Sequence, residues 1–253
     1  MDDATSRRKR ELELKELPSH RLAFQDLDFL ARPELRSYRL GLEYAKTQLL
    51  QREAGVVSTI VVFGSARIQS PETAGARLAS AEAAVAASPD EAGAAAELES
   101  ARRLHALGHY YEEARRFAAL ATDLHEDSET YDFVVTTGGG PGIMEAANRG
   151  ASERGAKTMG LNIEIPFEQT PNAYIRPELC FNFHYFALRK MHFLLKARAL
   201  VIFPGGFGTL DELFDALTLI QTGKMKRIPI VMFGRDFWGE IVDFDALARA
   251  GTV

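Results

Sequence analysis

The chain has 253 residues, 46% of them hydrophobic and 26% charged, enough for one large α/β domain with a sizeable core. A formal net charge of −5 excludes the strongly basic footprint of a nucleic-acid binder. Cys180 is the only cysteine, which excludes an intramolecular disulfide and a zinc cluster; with no bilayer-length apolar run and a charged, unsignal-like N-terminus, no membrane partner and a cytoplasmic location are expected.

In chain order, Met1 to about Ser19 is highly charged and expected to be mobile. Its basic run Arg7-Arg8-Lys9-Arg10, followed by Glu11, Glu13 and Glu16, reads as a solvated tail or helix start. From Ser19 to Glu53, Leu35, Leu40, Leu42, Tyr44, Leu49 and Leu50 recur at helical spacing, with Pro33 near a helix start. Residues 1–56 are therefore expected to form a tail and helical arm, and 57–253 the main domain. "STIVVFGSA" (58–66) reads as a buried strand closing on a tight turn. The Ala-rich stretch from Pro71 to Leu107, interrupted at Ser88-Pro89-Asp90, reads as a helical hairpin inserted on the surface.

Strands and helices then alternate. "YYEEARRFAALATDL" is an amphipathic helix, "YDFVVTTGGGPG" a strand and glycine turn, and "IMEAANRGASERG" a helix. "KTMGLNIEI" and "ELCFNFHYF" are strands, and "ALRKMHFLLKA" a helix. "ALVIFPGG", "TLDELFDALTLIQTG", "IPIVMFG" and "DFWGEIVDFDALARA" complete the series, and the chain ends at "ALARAGTV" without an evident stop signal. About six short strands separated by helices imply an α/β fold: a doubly wound parallel sheet with crossover helices on both faces. The aromatics of "CFNFHYF" and Trp238 are expected in the core, with one ring of Tyr185 or Phe186 alternatively free to stack on a base.

Three strand-to-helix junctions carry glycine: Gly64-Ser65, Gly138-Gly139-Gly140-Pro141-Gly142 and Gly205-Gly206-Phe207-Gly208-Thr209. In a doubly wound sheet such junctions share one edge, where ligands bind. A helix N-terminus offers unpaired N–H groups and a partial positive charge, and glycine lets a phosphate approach the backbone. Each turn alone is equally well tight connection chemistry. Neither the P-loop spacing nor G-x-G-x-x-G is present, which shifts weight from NTP hydrolysis and hydride transfer to a mononucleotide. Glu212 has two readings. With Thr209 as N-cap, Thr209-Leu210-Asp211-Glu212 matches a capping box whose glutamate reaches back along its own helix; alternatively the carboxylate points into the cleft for catalysis.

"PGGFGTLDE", with "RKM" upstream and "GGGPGIMEAANRGA" earlier, resembles the Lonely Guy (LOG) family of cytokinin riboside 5′-monophosphate phosphoribohydrolases, often labelled lysine decarboxylases. The resemblance runs from about Thr59 to Phe233 and implies a Rossmann-like nucleotide-binding catalytic domain. The implied reaction is hydrolysis of the N-glycosidic bond of a purine nucleoside 5′-monophosphate, with adenine or an N6-substituted adenine as base. Carried over, Arg189 and Glu212 form the catalytic pair, and Gly205, Gly206, Gly208 and Thr209 hold the 5′-phosphate. Lys190, Gly139 and Gly140 line the nucleotide site, and Ser65 sits beside the sugar-phosphate. A first-turn glutamate would be favoured in its ionised form by the helix dipole and would stabilise an oxocarbenium-like sugar.

Phe193 stands where plant-type members carry methionine, and the arm and Ala-rich insertion are extra; this suggests a longer bacterial-type subgroup, for which plain AMP is a candidate substrate. Glu145 and Asn148 are candidate ribose contacts, although helix-surface polarity is the simpler account of Asn148. His184 and His192 read as packing or peripheral contacts rather than metal ligands. No metal or cofactor is implied, and the family suggests a homodimer or higher homo-oligomer. The rival from another class is a nucleotide- or cofactor-binding module without catalysis. Lysine decarboxylation would need a Schiff-base lysine in a supporting context, which Lys190 and Lys196 lack.

Overall fold

The computed structural model describes residues 3–88, 92–122, 130–166 and 170–253. The chain divides into two compact units, 1–46 and 47–253.

In the first unit the charged opening is helical, α1 (Asp3–Lys15), with the side chains from Ala4 to Lys15 exposed. Short turns of 3₁₀ helix follow, two of them opened by Pro18 and Pro33, whose fixed φ suits a first helical position. Between them α2 (Leu27–Leu30) is capped by Asp26, which accepts from Phe29 N–H at 3.0 Å. The periodic apolar run becomes α3 (Arg36–Glu53), starting directly after the Pro33 turn; its last turns belong to the second unit.

The second unit is built on six parallel strands among the described residues: β1 (Thr59–Phe63), β2 (Val134–Thr137), β3 (Thr158–Ile163), β4 (Cys180–Phe183), β5 (Ala197–Ile202) and β6 (Ile230–Met232). Their order is β4-β3-β2-β1-β5-β6, the doubly wound α/β fold that the alternation predicts. β1 is central, pairing Thr59 with Val134 on one side and Phe63 with Ile202 on the other. Its five residues are all buried because both faces are covered: Val61 and Phe63 enter one apolar layer, Ile60 and Val62 the other.

One layer is closed by α6 (His109–Ala121) and α7 (Ile143–Glu153). Small side chains, Ala114 and Ala118 facing Ala147 and Ala151, let these helices approach closely, and a Cβ at Gly150 would overlap the Arg115 carbonyl. The other layer contains Phe193 of α8 (Phe186–Leu195), Leu213 and Ala216 of α9 (Phe207–Gln221), and Trp238 of α10 (Arg235–Ile241). Phe181, Phe183 and Trp238 are core residues, as expected. The Ala-rich stretch is the expected hairpin, α4 (Pro71–Ala87) and α5 (Ala94–Leu107), joined by an Arg77–Glu97 ion pair at 2.7 Å. Ser70 caps α4 by accepting from Thr73 N–H. Pro89 and Asp90 of the expected interruption, and Asp123 and Leu124 of the expected amphipathic helix, lie outside the described residues. The C-terminal run divides into α10 and α11 (Phe244–Arg249), because Asp243 caps a new helix through Ala246 N–H at 2.7 Å. No helix among the described residues is long and apolar enough to cross a membrane.

Candidate nucleotide site

The chain winds from β1 out to β4 and then returns to β5 on the other side of β1. At that reversal the turns after β1 and β5 diverge and leave a crevice at the strands' carboxyl ends. A cleft of about 290 Å³ occupies it.

The turn after β1 forms one wall. Ser65 ties it to the others: its N–H donates to Pro204 O at 3.0 Å and its carbonyl accepts from Ile143 N–H at 3.1 Å. Ser65 Oγ accepts from Arg67 N–H at 3.1 Å, and the Arg67 side chain lies at the exposed rim.

The N-terminus of α9 forms the second wall. Its N-cap is Gly206, with no side chain capping the first turn, so the leading N–H groups carry the positive end of the helix dipole towards the cleft. The glycines differ in purpose. A Cβ at Gly205 would overlap Thr209 Oγ1, so packing requires glycine there. At Gly206 and Gly208 a Cβ would meet nothing within 4 Å, and neither has positive φ. Packing and strain leave those two unexplained, and both present bare backbone to the cleft.

Because the helix starts at Phe207, Thr209 is inside it and its N–H bonds Gly206 O at 3.0 Å. The capping box is therefore not formed, and Glu212 stands in the second turn, beyond the first-turn dipole benefit expected for it. Glu212 lines the cleft, 6% exposed, and its Oε2 has no hydrogen-bond partner. Burial pushes its carboxyl up to about 7, with Arg189 and Lys190 opposing the rise.

Arg189 reaches the cleft from α8 on a fixed mount. Nε donates to Leu161 O at 2.7 Å and Nη2 to Gly138 O at 3.5 Å. The guanidinium lies 5.1 Å from the centre of the Phe193 ring, itself edge-on to Phe63 at 4.9 Å. An aromatic at 193 thus supplies a cation–π seat that a methionine would not. Burial pulls the Arg189 pKa below its ordinary value, and Glu212 opposes that shift.

Of the residues expected at the site, Ser65, Arg189, Gly206, Gly208, Thr209 and Glu212 line this cleft, with Gly205 packed behind Thr209. Lys190 does not: its Nζ is held by Asp211 at 3.0 Å and Asp215 at 3.6 Å, beside a neighbouring groove. From the second glycine turn it is Gly138 that reaches the cleft, whereas the carbonyls of Gly139 and Gly140 accept from Asn172. Glu145 accepts from the Tyr111 hydroxyl at 2.8 Å. Asn148 is fully buried rather than on the helix surface, because its amide anchors the turn after β2. His184 pairs with Glu164 at 2.9 Å, and buried His192 meets Leu188 O at 2.7 Å. No group of three or more His, Cys, Asp or Glu placed to hold a metal occurs among the described residues.

Sequence reasoning missed Arg67 and Met144; with them Phe186, exposed rather than in the core, lines the cleft. Arg67 had a usable signal, standing two residues beyond the Gly64-Ser65 turn. Met144 had none, because a methionine on an amphipathic helix looks like core.

Residues 144–253 match the family described as "Possible lysine decarboxylase". No curated protein matches the chain. Among solved structures, the structural-genomics target TM1055 is 22% identical, over 64% of this chain and 69% of its own, with a TM-score of 0.38. A molybdenum cofactor binding protein from Rippkaea orientalis is 20% identical, over 58% and 75%, with a TM-score of 0.39. Residues 144–253, which include the Arg189-Lys190 and P-G-G-x-G-T-x-x-E motifs, are thus similar to that family.

Proposed function

We propose that the cleft binds purine nucleoside 5′-monophosphates, AMP or an N6-substituted relative, and hydrolyses the N-glycosidic bond to free base and ribose 5-phosphate. One observation carries the reading: a buried carboxylate without a hydrogen-bond partner at Oε2 shares a cleft with a fixed guanidinium and a bare helix N-terminus. The phosphate docks on the leading N–H groups of α9 and the Thr209 hydroxyl. Arg189 binds the anionic substrate by forked hydrogen bonds. As the C1′–N bond breaks, its electron pair leaves with the purine and the sugar becomes oxocarbenium-like. Ionised Glu212 stabilises that cation, and then either takes the proton of the attacking water or forms an ester that water opens. The Phe186 ring, 54% exposed, offers the base a stacking face, and Arg67 adds a cation at the rim. Water is the only co-reactant, so no cofactor is called for.

Decarboxylation through a Schiff base fits the geometry poorly. No lysine among the described residues lines the cleft; Lys190 is tied to two aspartates, and Lys196 donates to Val56 O at 2.5 Å. The test is incubation with AMP and detection of adenine. Adenine release that disappears in Glu212→Gln and Arg189→Ala supports the hydrolase. AMP binding without adenine release leaves a nucleotide-binding module. We also expect a homodimer or higher assembly, given exposed Leu22, Phe24 and Leu27 in the first unit; a single-chain mass by light scattering would count against it.

A further inference from the structure

We infer that Asn172, which does not line the cleft, is a positioning residue for nucleotide binding: it clasps the glycine turn after β2 and thereby fixes the carbonyl on which Arg189 rests. The inference builds on the nucleotide reading above.

The turn after β2 is held differently from its neighbours. The turns after β1 and β5 are joined by backbone bonds, Ser65 N–H to Pro204 O and Phe203 N–H to Phe63 O. At 138–140 side chains add to one backbone bond. Gly139 N–H donates to Thr137 Oγ1 at 2.9 Å. Gly139 O accepts from the Asn172 N–H at 2.9 Å and from its Nδ2 at 3.2 Å, and Gly140 O accepts from the same Nδ2 at 3.0 Å. Asn172 Nδ2 also donates to Asn148 Oδ1 at 2.9 Å, and its own Oδ1 accepts from Tyr174 N–H.

Behind Asn172 stands Asn148, with no exposed surface. Its Oδ1 accepts from Thr137 Oγ1 at 2.6 Å, and its Nδ2 faces Thr158 Oγ1 and Met159 O of β3. Arg189 is aimed by two carbonyls, Gly138 O in this turn and Leu161 O on the same strand β3. Both supports therefore lead to one polar network. The fit at the turn is close: a Cβ at Gly138 would lie 2.5 Å from Arg189 Nη2. If the turn slackens, the guanidinium loses one of its two rests. A buried polar network acts in this way when every member is satisfied.

The test uses the full chain and AMP. Asn172→Ala removes the side-chain part of the clasp and keeps the backbone bond to Gly139 O, and Asn172→Asp keeps the Tyr174 contact while withdrawing the Nδ2 donors. Each is expected to weaken AMP binding about tenfold with the melting temperature little changed. In an Arg189→Lys background, whose ammonium cannot span both carbonyls, the same substitution should weaken binding less than twofold. Equal weakening in both backgrounds, or unchanged affinity, overturns the inference. Hydrogen exchange of the 138–142 amides in ligand-free protein should quicken in Asn172→Ala; unchanged exchange also overturns it. Binding is read without turnover, so AMP that binds with this coupling but releases no adenine sinks the hydrolase and leaves the clasp standing.

Discussion

In the proposed reaction Glu212 carries the chemistry, and its burial carries a penalty. Its carboxyl is raised from 4.5 to about 7 by burial, so the folded protein holds that proton more tightly than the unfolded chain. The stabilisation from this group is complete below pH 4.5 and is lost as pH rises through 7; above that, the ionised form costs about 3 kcal/mol. Glu212→Gln should therefore raise the melting temperature by several degrees at pH 8, give no gain at pH 4, and lower hydrolysis at least about 100-fold. Paired thermal melts check this, and a destabilised variant at pH 8 would refute it. The ionised form also predicts that kcat/KM for AMP falls about tenfold per unit of pH below 7, read from initial rates between pH 5 and 8. Arg189 and Glu212 were reached through the resemblance, whose motifs set their register with the glycines; local pattern alone left Glu212 divided between cap and cleft. Asn148 was not legible: periodicity marks it as a polar position on a helix, and only the folded turn 138–140 reveals what it faces.

In the proposed site the phosphate docks at the start of α9, where two kinds of glycine separate experimentally. Gly208→Ala meets nothing in the folded chain and should stabilise the helix by up to about 1 kcal/mol, while AMP binding weakens at least tenfold because a methyl group occupies the phosphate's approach. Gly205→Ala drives a Cβ into Thr209 Oγ1 and should lower stability by about 1–3 kcal/mol. Denaturation curves beside AMP titrations read both effects; Gly208→Ala with undiminished affinity would move the phosphate elsewhere. The elements themselves were largely legible, since short β-branched runs ending in glycine alternate with amphipathic stretches. The start of α9 was not. Thr209 is a good N-cap on local propensity, but packing of Gly205 against Thr209 begins the helix at Phe207, which turns Glu212 from a cap partner into a cleft residue.

At the scale of the whole molecule, parallel architecture was readable but strand order was not. The reversal between β1 and β5 depends on which side of the sheet each crossover takes, which no local pattern states. The same scale separates the arm from the domain. Among the described residues no apolar side chain before Val56 is fully buried, while Leu12, Leu22, Phe24 and Leu27 are exposed. A segment of that size buries too little apolar surface to hold a core of its own. All strands, both apolar layers and every residue lining the cleft lie within 47–253. A chain beginning at Thr47 should therefore unfold cooperatively, within a few degrees of the full chain, and bind AMP with affinity changed less than about threefold. If exposed leucines and phenylalanines of the arm carry subunit association, the same truncation lowers the mass measured by light scattering. A truncated chain that is unfolded by circular dichroism would show that the sheet domain depends on the arm for its stability.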